Sequence, residues 1–277
     1  MQHYERTSPD RFSDLACERR RADTSAVGVS YTCQRCPPGN WERIRIFSSE
    51  GEESIGRPMG NYNTLNTKRL DLLDFDGADD AKNEISSELC SLFEKNSISP
   101  TRILVVGLGN ESLTPDAVGP LTASLVKPTL HISGTDKKMF DSLECSEIAV
   151  IKPGVCSSSG LDSAAFTVGV CEKIKPNAVI AIDALASRSP ERLGCTIQIC
   201  DTGIFPGTGL GAGKVALNRK SLGVPVIAIG VPTVIDARAL GSSVKGMFVA
   251  QKEINGITDA AARIIAGGIN QAFGIDF

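Results

Sequence analysis

Two aspartates stand where an α/β protein can do chemistry. The segment Arg102-Ile-Leu-Val-Val-Gly-Leu-Gly-Asn-Glu-Ser-Leu-Thr-Pro-Asp-Ala-Val-Gly-Pro120 is an apolar strand that runs into a glycine turn and presents Asp116 where a helix begins. The segment Ala178-Val-Ile-Ala-Ile-Asp-Ala-Leu-Ala-Ser-Arg188 is a second strand of buried character and carries Asp183 at its carboxyl end, where open α/β sheets collect their sites. Two carboxylates brought into one cleft cannot both ionise easily, so one keeps its proton while the other serves as a base that activates water. Each acid also has a plainer role open to it. Asp116, after Thr114-Pro115, is placed to cap its helix, and Asp183 to hold a turn by accepting backbone N–H groups. Asp201, after the strand Cys195-Thr-Ile-Gln-Ile-Cys200, and Asp236, in Val231-Pro-Thr-Val-Ile-Asp-Ala237, are further acids at element edges. Capping or structural roles are expected of both.

Other chemistries lack parts. Gly107-Leu-Gly109 opens like a dinucleotide fingerprint, but Asn110-Glu111-Ser112 follows with no third glycine where helix packing needs one. Serine or cysteine nucleophiles need a histidine base, and the chain has only His3 and His131, neither beside a nucleophile motif. No His-x-x-x-His or Cys/His cluster offers a metal site, and Cys33-Gln-Arg-Cys36 is half a zinc site without a second pair. No cofactor and no dedicated metal site are therefore expected, and the paired carboxylates are left to share either a proton or a metal. The nine cysteines are an odd count scattered mostly singly, which reads as reduced thiols in a cytosolic protein. A net charge of -3 and an isoelectric point near 5.6 supply no field for phosphate backbones, so nucleic acid is not an expected partner. No apolar run is long enough to span a bilayer, and the first ten residues lack a signal peptide's apolar core. No membrane contact is expected, and the protein is read as cytoplasmic.

The elements around the two acids follow from hydrophobic spacing. Residues 1–77 are polar, with short apolar patches such as Ile44-Arg-Ile-Phe47 that predict only isolated strands, so this part reads as a loose arm or small subdomain. Asp79 to Lys95 has apolar residues at Ala81, Ile85, Leu89 and Leu92 and predicts a helix ended by Asn96-Ser-Ile-Ser-Pro100. Strands are predicted at 102–107, 147–152, 178–183, 195–200 and 225–230, and helices at 116–126, 160–174, 233–240 and 257–272. Near-continuous apolar strands alternating with helices indicate a parallel or mixed sheet covered on both faces, a three-layer α/β/α fold. Gly203-Ile-Phe-Pro-Gly-Thr-Gly-Leu-Gly-Ala-Gly213 carries five glycines and predicts a mobile loop beside the sheet, of the kind that closes over a site.

The chain also resembles the germination proteases of spore-forming bacteria. The resemblance rests on Val105-Val-Gly-Leu-Gly-Asn110 with Thr114-Pro-Asp-Ala-Val-Gly-Pro120, on Pro153-Gly154, and on Val179-Ile-Ala-Ile-Asp-Ala-Leu-Ala-Ser-Arg188. It continues through Thr196-Ile-Gln-Ile199, Asp201-Thr-Gly-Ile204, Pro206-Gly207, Leu222-Gly-Val-Pro-Val-Ile-Ala-Ile-Gly-Val-Pro-Thr-Val234 and Ala266-Gly-Gly-Ile-Asn270, and so covers most of residues 102–277. It implies an endopeptidase that degrades the small acid-soluble proteins coating spore DNA, with catalytic aspartates at Asp116 and Asp183. Asn110, Arg188 and Asp201 are candidate supporting residues. Arg188 either pairs with an acid in the cleft or forms a structural bridge, and Lys214, also near the cleft, is expected to be solvated at the surface. The implied sheet is similar to that of phosphorylases and hydrogenase maturation proteases, whose acids bind nickel with a histidine completing the site. Here Phe205 stands where that histidine is usual in germination proteases.

Members of that family are made as zymogens, and Phe12-Ser-Asp-Leu-Ala16 looks like their self-cleavage site. The resemblance thus implies cleavage between Asp14 and Leu15, with residues 1–14 as prosequence, 15–77 as an N-terminal arm or subdomain, and 78–277 as the catalytic α/β domain. The uncut arm is expected to block the cleft. The family tends to form homotetramers, while the longer members carry an extra stretch between Asp236-Ala237 and Met247-Phe-Val that is absent here. A location in the spore core is implied with it.

Overall fold

A computed structural model describes residues 13–19, 27–204, 215–244 and 246–275. Nine strands form one mixed sheet: β1 (Val29–Cys36), β2 (Gly39–Ile46), β3 (Gly60–Asn66), β4 (Arg102–Gly107), β5 (Glu147–Ile151), β6 (Ala178–Ser187), β7 (Thr196–Cys200), β8 (Val226–Asp236) and β9 (Phe248–Ala250). The helices are α1 (Ala16–Arg19), α2 (Ser49–Ile55), α3 (Phe75–Lys95), α4 (Val118–Leu125), α5 (Leu130–Thr135), α6 (Lys137–Leu143), α7 (Cys156–Ser159), α8 (Ser163–Ile174), α9 (Arg219–Leu222) and α10 (Ile254–Ala272). The strand order is β1-β2-β3-β7-β8-β6-β4-β5, with β9 paired to the far end of β8. Strands β5, β4, β6 and β8 run parallel, whereas β7 is antiparallel to both β8 and β3.

The central strands split their side chains between two cores, as the period-2 geometry of a strand requires. Ile103 and Val105 of β4, Ile180 and Ile182 of β6, and Ile227 and Ile229 of β8 meet α3, α4 and α10 on one face. Leu104 and Val106, Val179 and Ala181, and Val226 and Ala228 meet Leu15, α2 and α8 on the other. At about 1.5–3 kcal/mol for each fully buried aliphatic side chain, these two faces supply much of the drive for folding. The helices that cover them carry matching stripes. Asp74 caps α3 by accepting from Gly77 N, and Ala81, Ile85, Leu89 and Leu92 then fall on one buried side. The three-layer α/β/α fold expected from the sequence is the one found.

Two expectations change. Residues 29–66 are not isolated strands: β1, β2 and β3 form an antiparallel meander that joins the central sheet where Tyr62 to Asn66 pairs with Thr196 to Cys200. Trp41, Ile44, Ile46 and Leu65 of this meander lie in the two cores. No helix spans 233–240. The β-branched run Val231-Pro-Thr-Val-Ile235 instead prolongs β8 to Asp236, held between the extended end of β6 and β9, and a 3-10 turn over Ala237–Leu240 follows.

The order of the parallel strands creates a crevice. From β4 the chain crosses through α4, α5 and α6 to β5 on one side, then returns through α8 to β6 on the other side of β4. The connections leave in opposite directions, so the carboxyl ends of β4 and β6 bound a topological switch point, the usual ligand position in open α/β sheets.

Candidate active site

Asp116 is carried to this crevice by a tight turn. After β4, Gly109 takes a φ of 111°, and a Cβ there would lie 2.1 Å from Asp116 O. Only glycine permits this approach of the two backbones. Asn110 N donates to Asp116 Oδ2 at 2.7 Å, and Ser112 N donates to Asn110 Oδ1 at 3.0 Å. Residues Thr114–Asp116 form a 3-10 turn that Thr233 of β8 clamps by donating its hydroxyl to Pro115 O at 2.6 Å. Asp116 does not cap α4, whose N-cap residue is Ala117 without a side-chain bond. Its carboxylate bonds back to the glycine turn.

Asp183 lies within β6, opposite Gly230 of β8, and is only 5% exposed. Ala184 N donates to its Oδ1 at 2.9 Å. Asp116 and Asp183 both line one cavity of about 270 Å³, together with Arg57, Tyr62, Gln198, Thr233 and Asp14 among others. Burial pushes the Tyr62 phenol pKa upward, and its hydroxyl donates to Pro58 O. Burial likewise raises the Cys200 thiol, so both groups are neutral near pH 7 and neither is an activated nucleophile. The carboxylates that line this cavity among the described residues are those of Asp14, Asp116 and Asp183.

The segment expected to be cut lies in the same cavity. Asp14 N donates to Ala186 O at 2.9 Å, and Ala186 N donates to Asp14 Oδ2 at 2.9 Å. Arg57 stands 3.5 Å from Asp14 Oδ1. Leu15 and Ala16 are wholly buried in the core shared with α2 and α8. Burial also pushes the pKa of Cys17 up to about 11. Asp14 thus lines the cavity, and Leu15 and Ala16 lie in the adjoining core. Residues 1–12 lie outside the described residues.

The remaining candidates separate. Asn110 belongs to the site through its amide. Asp201 does not: its carboxylate accepts from Asn61 N, Asn61 Nδ2 and Asn96 Nδ2 at 2.7, 2.6 and 3.0 Å, tying β3 to the end of α3. A strand-end acid was drawn to neighbouring donors instead of the cavity. Arg188 contributes its backbone N–H to Glu18 at 2.8 Å. Asp236 caps the turn after β8 and pairs with Arg238 at 2.5 Å, as expected of a structural acid. Phe205, Lys214 and most of the glycine-rich loop lie outside the described residues. His131 is exposed in α5 and absent from the cavity lining. Among the described residues no three His, Cys, Asp or Glu side chains gather as a metal site, and no helix is long and apolar enough to cross a membrane. Sequence reasoning missed Arg57, Tyr62, Gln198 and Thr233. Gln198 sits in a period-2 strand as a polar residue that is buried, the one local signal that was available.

Among solved structures, a [NiFe] hydrogenase maturation protease from Thermococcus kodakarensis is 18% identical, with a TM-score of 0.38 over 66% of this chain and 99% of its own. Germination protease of Caldanaerobacter subterraneus is 41% identical over 81% of this chain and 69% of its own length. Those of Oceanobacillus iheyensis and Clostridium acetobutylicum are 41% and 34% identical, over 71% and 83% of this chain and 53% and 72% of their own lengths. With the germination protease family profile matching residues 17–246, the chain belongs to the germination protease family, a family of peptidases.

Proposed function

We propose that the protein is an endopeptidase of spore germination that hydrolyses small acid-soluble spore proteins, with Asp116 and Asp183 as its catalytic pair. The observation that carries this reading is that the two acids, delivered by β4 and β6, face one cavity at the switch point of the sheet. One carboxylate takes a proton from water as the water oxygen attacks the peptide carbonyl carbon. The other, protonated, donates to the amide nitrogen as the C–N bond breaks. Asn110 N, donating to Asp116, and Ala184 N, donating to Asp183, orient the two side chains. No cofactor enters the reaction. The chain is a self-processing zymogen cut between Asp14 and Leu15, assembles as a homotetramer, and works in the cytoplasm of the spore core.

Asp116→Asn and Asp183→Asn, each assayed for cleavage of a purified acid-soluble spore protein and for loss of residues 1–14 by intact mass, test the assignment. Each substitution is expected to lower turnover by at least about a hundredfold, within the range general acid–base groups supply. Full activity in either variant removes that residue from the mechanism. Activity lost on chelation and restored by a divalent ion replaces the carboxylate pair with a metal mechanism.

A further inference from the structure

Strand β8 touches the surroundings of both candidate catalytic acids. Gly230 pairs with Asp183 in the parallel ladder, and further along the strand the Thr233 hydroxyl donates at 2.6 Å to the carbonyl of Pro115, the residue before Asp116. The ladder slips between these two points. Leu185 pairs with Pro232 and Ala186 with Val234, so Thr233 is an extra residue with no partner on β6. Pro232 has no N–H to give to the ladder, which favours a break there. A bulge of this kind bends its strand and re-aims a side chain, and here the hydroxyl meets the Thr114–Asp116 turn. Thr233 is buried and lines the cavity with Pro115, Asp116 and Asp183. Its neighbours on the strand, Val231 and Ile235, are buried aliphatic residues, and a valine at 233 would fill the same volume. The hydroxyl therefore adds the bond to Pro115 O and not bulk.

We infer that Thr233 is a positioning residue of the protease: through Pro115 O it fixes the Asp116 carboxylate relative to Asp183, and the β8 bulge delivers the hydroxyl that does so. The inference rests on the peptidase reading of the Asp116 and Asp183 cavity. Thr233 acts through the backbone of the turn and not on the substrate. The turn is held from two sides, since Asn110 N donates to Asp116 Oδ2 at 2.7 Å from the β4 side and Thr233 grips the backbone from β8. Loss of the second hold leaves a short 3-10 turn anchored from one side. An O–H···O bond closes to 2.6 Å here, whereas a methyl carbon needs about 3.3 Å from a carbonyl oxygen. Valine at 233 thus pushes the turn outward by roughly 0.7 Å, and a misplacement on the order of 1 Å between reacting groups costs roughly a hundredfold in rate.

The test uses the full chain with Thr233→Val, Thr233→Ala and Thr233→Ser, and Thr167→Val as the control. Thr167 lies in α8, is buried, donates its hydroxyl to Ser163 O at 2.7 Å and is absent from the cavity lining. Its substitution removes a comparable buried bond with no route to Asp116. Cleavage of a purified acid-soluble spore protein is measured beside hydrogen–deuterium exchange of the Asn110 amide, whose bond to Asp116 reports on the turn whether or not the chain is a peptidase. Thr233→Val is expected to lower kcat by about ten- to hundredfold with KM within about threefold, and to speed Asn110 exchange by about tenfold. Thr233→Ser keeps the hydroxyl and is expected to return both readings to within about threefold of the parent. Thr167→Val should lower Tm while leaving kcat and Asn110 exchange unchanged. Thr233→Ala removes the bond without pressing a methyl group on the carbonyl, and it carries the test where the valine variant fails to fold. Unchanged Asn110 exchange in the valine and alanine variants, or a serine variant as impaired as valine, overturns the positioning role. A loss of kcat matched by Thr167→Val at equal loss of Tm also overturns it. Faster Asn110 exchange in variants of a parent that cleaves no acid-soluble protein sinks the peptidase reading and keeps the hold of Thr233 on the turn.

Discussion

Gly119→Ala tests how closely the two candidate catalytic acids depend on one helix contact. Gly119 lies in the first turn of α4, three residues after Asp116. A Cβ there would fall 2.2 Å from Leu108 O, 2.4 Å from Ile182 O and 2.7 Å from Leu108 N. These are backbone atoms of the β4 turn and of β6 beside Asp183, so no side chain can swing aside. Restoring ordinary contact requires α4 to retreat by about 1 Å. Alanine alone would favour the helix by about 1 kcal/mol, whereas overpacking costs about 1–3 kcal/mol and more where rigid backbone is struck. The clash wins, and a net loss of about 2 kcal/mol lowers Tm by roughly 4–8 °C for a chain of this size. A displacement of about 1 Å between reacting groups costs roughly a hundredfold in rate, so kcat on an acid-soluble spore protein should fall by about that factor. Gly169→Ala in α8 is the control, since a Cβ there meets nothing within 4 Å and should raise Tm slightly. Calorimetry and initial rates measure both. An unchanged or higher Tm with full activity in Gly119→Ala refutes the proposed helix contact as the support of the site.

Asp201→Ala should cost about 1–3 kcal/mol by leaving the Asn61 and Asn96 donors unpaired, with kcat/KM within about twofold of the parent; lost activity at unchanged stability would return Asp201 to the chemistry. Thiol labelling of the native chain with a disulfide reagent should modify Cys33, Cys90 and Cys156 first, because these are exposed. Cys17 and Cys171, with pKa values pushed to about 11 by burial, should lag, and rapid labelling of Cys17 would contradict the docked segment. The Arg238 hydrogen bond lowers the Asp236 pKa below 3.8, so its contribution is present above pH 3.8 and is lost as pH falls through the folded value. The stability gap between the parent and Arg238→Leu should therefore be open at pH 7 and close in acid; a gap independent of pH removes the ion pair as its cause.

The position of Asp116 beyond a strand was legible from local pattern, because an apolar run followed by a glycine turn acts over a few residues and needs no partner, whereas Asp183, expected at the end of its strand, lies within β6, which runs on to Ser187. The strands at 102–107 and 147–152, the helices α3 and α10 and the three-layer class were legible for the same reason: burial periodicity is written along the chain. The family, too, lies in the sequence. What no window of sequence holds is pairing between distant segments. The meander β1–β3 looked like isolated strands because its stability comes from β7, more than a hundred residues away, and β8 outran its expected end because β6 and β9 flank it. The same physics hid the site's second half. Arg57, Tyr62, Gln198 and Thr233 have no shared motif, and they line one cavity with Asp116 and Asp183 only once the sheet order has closed those long loops. Pattern names the acids, while the folded register determines that they share a cavity and which residues line it with them.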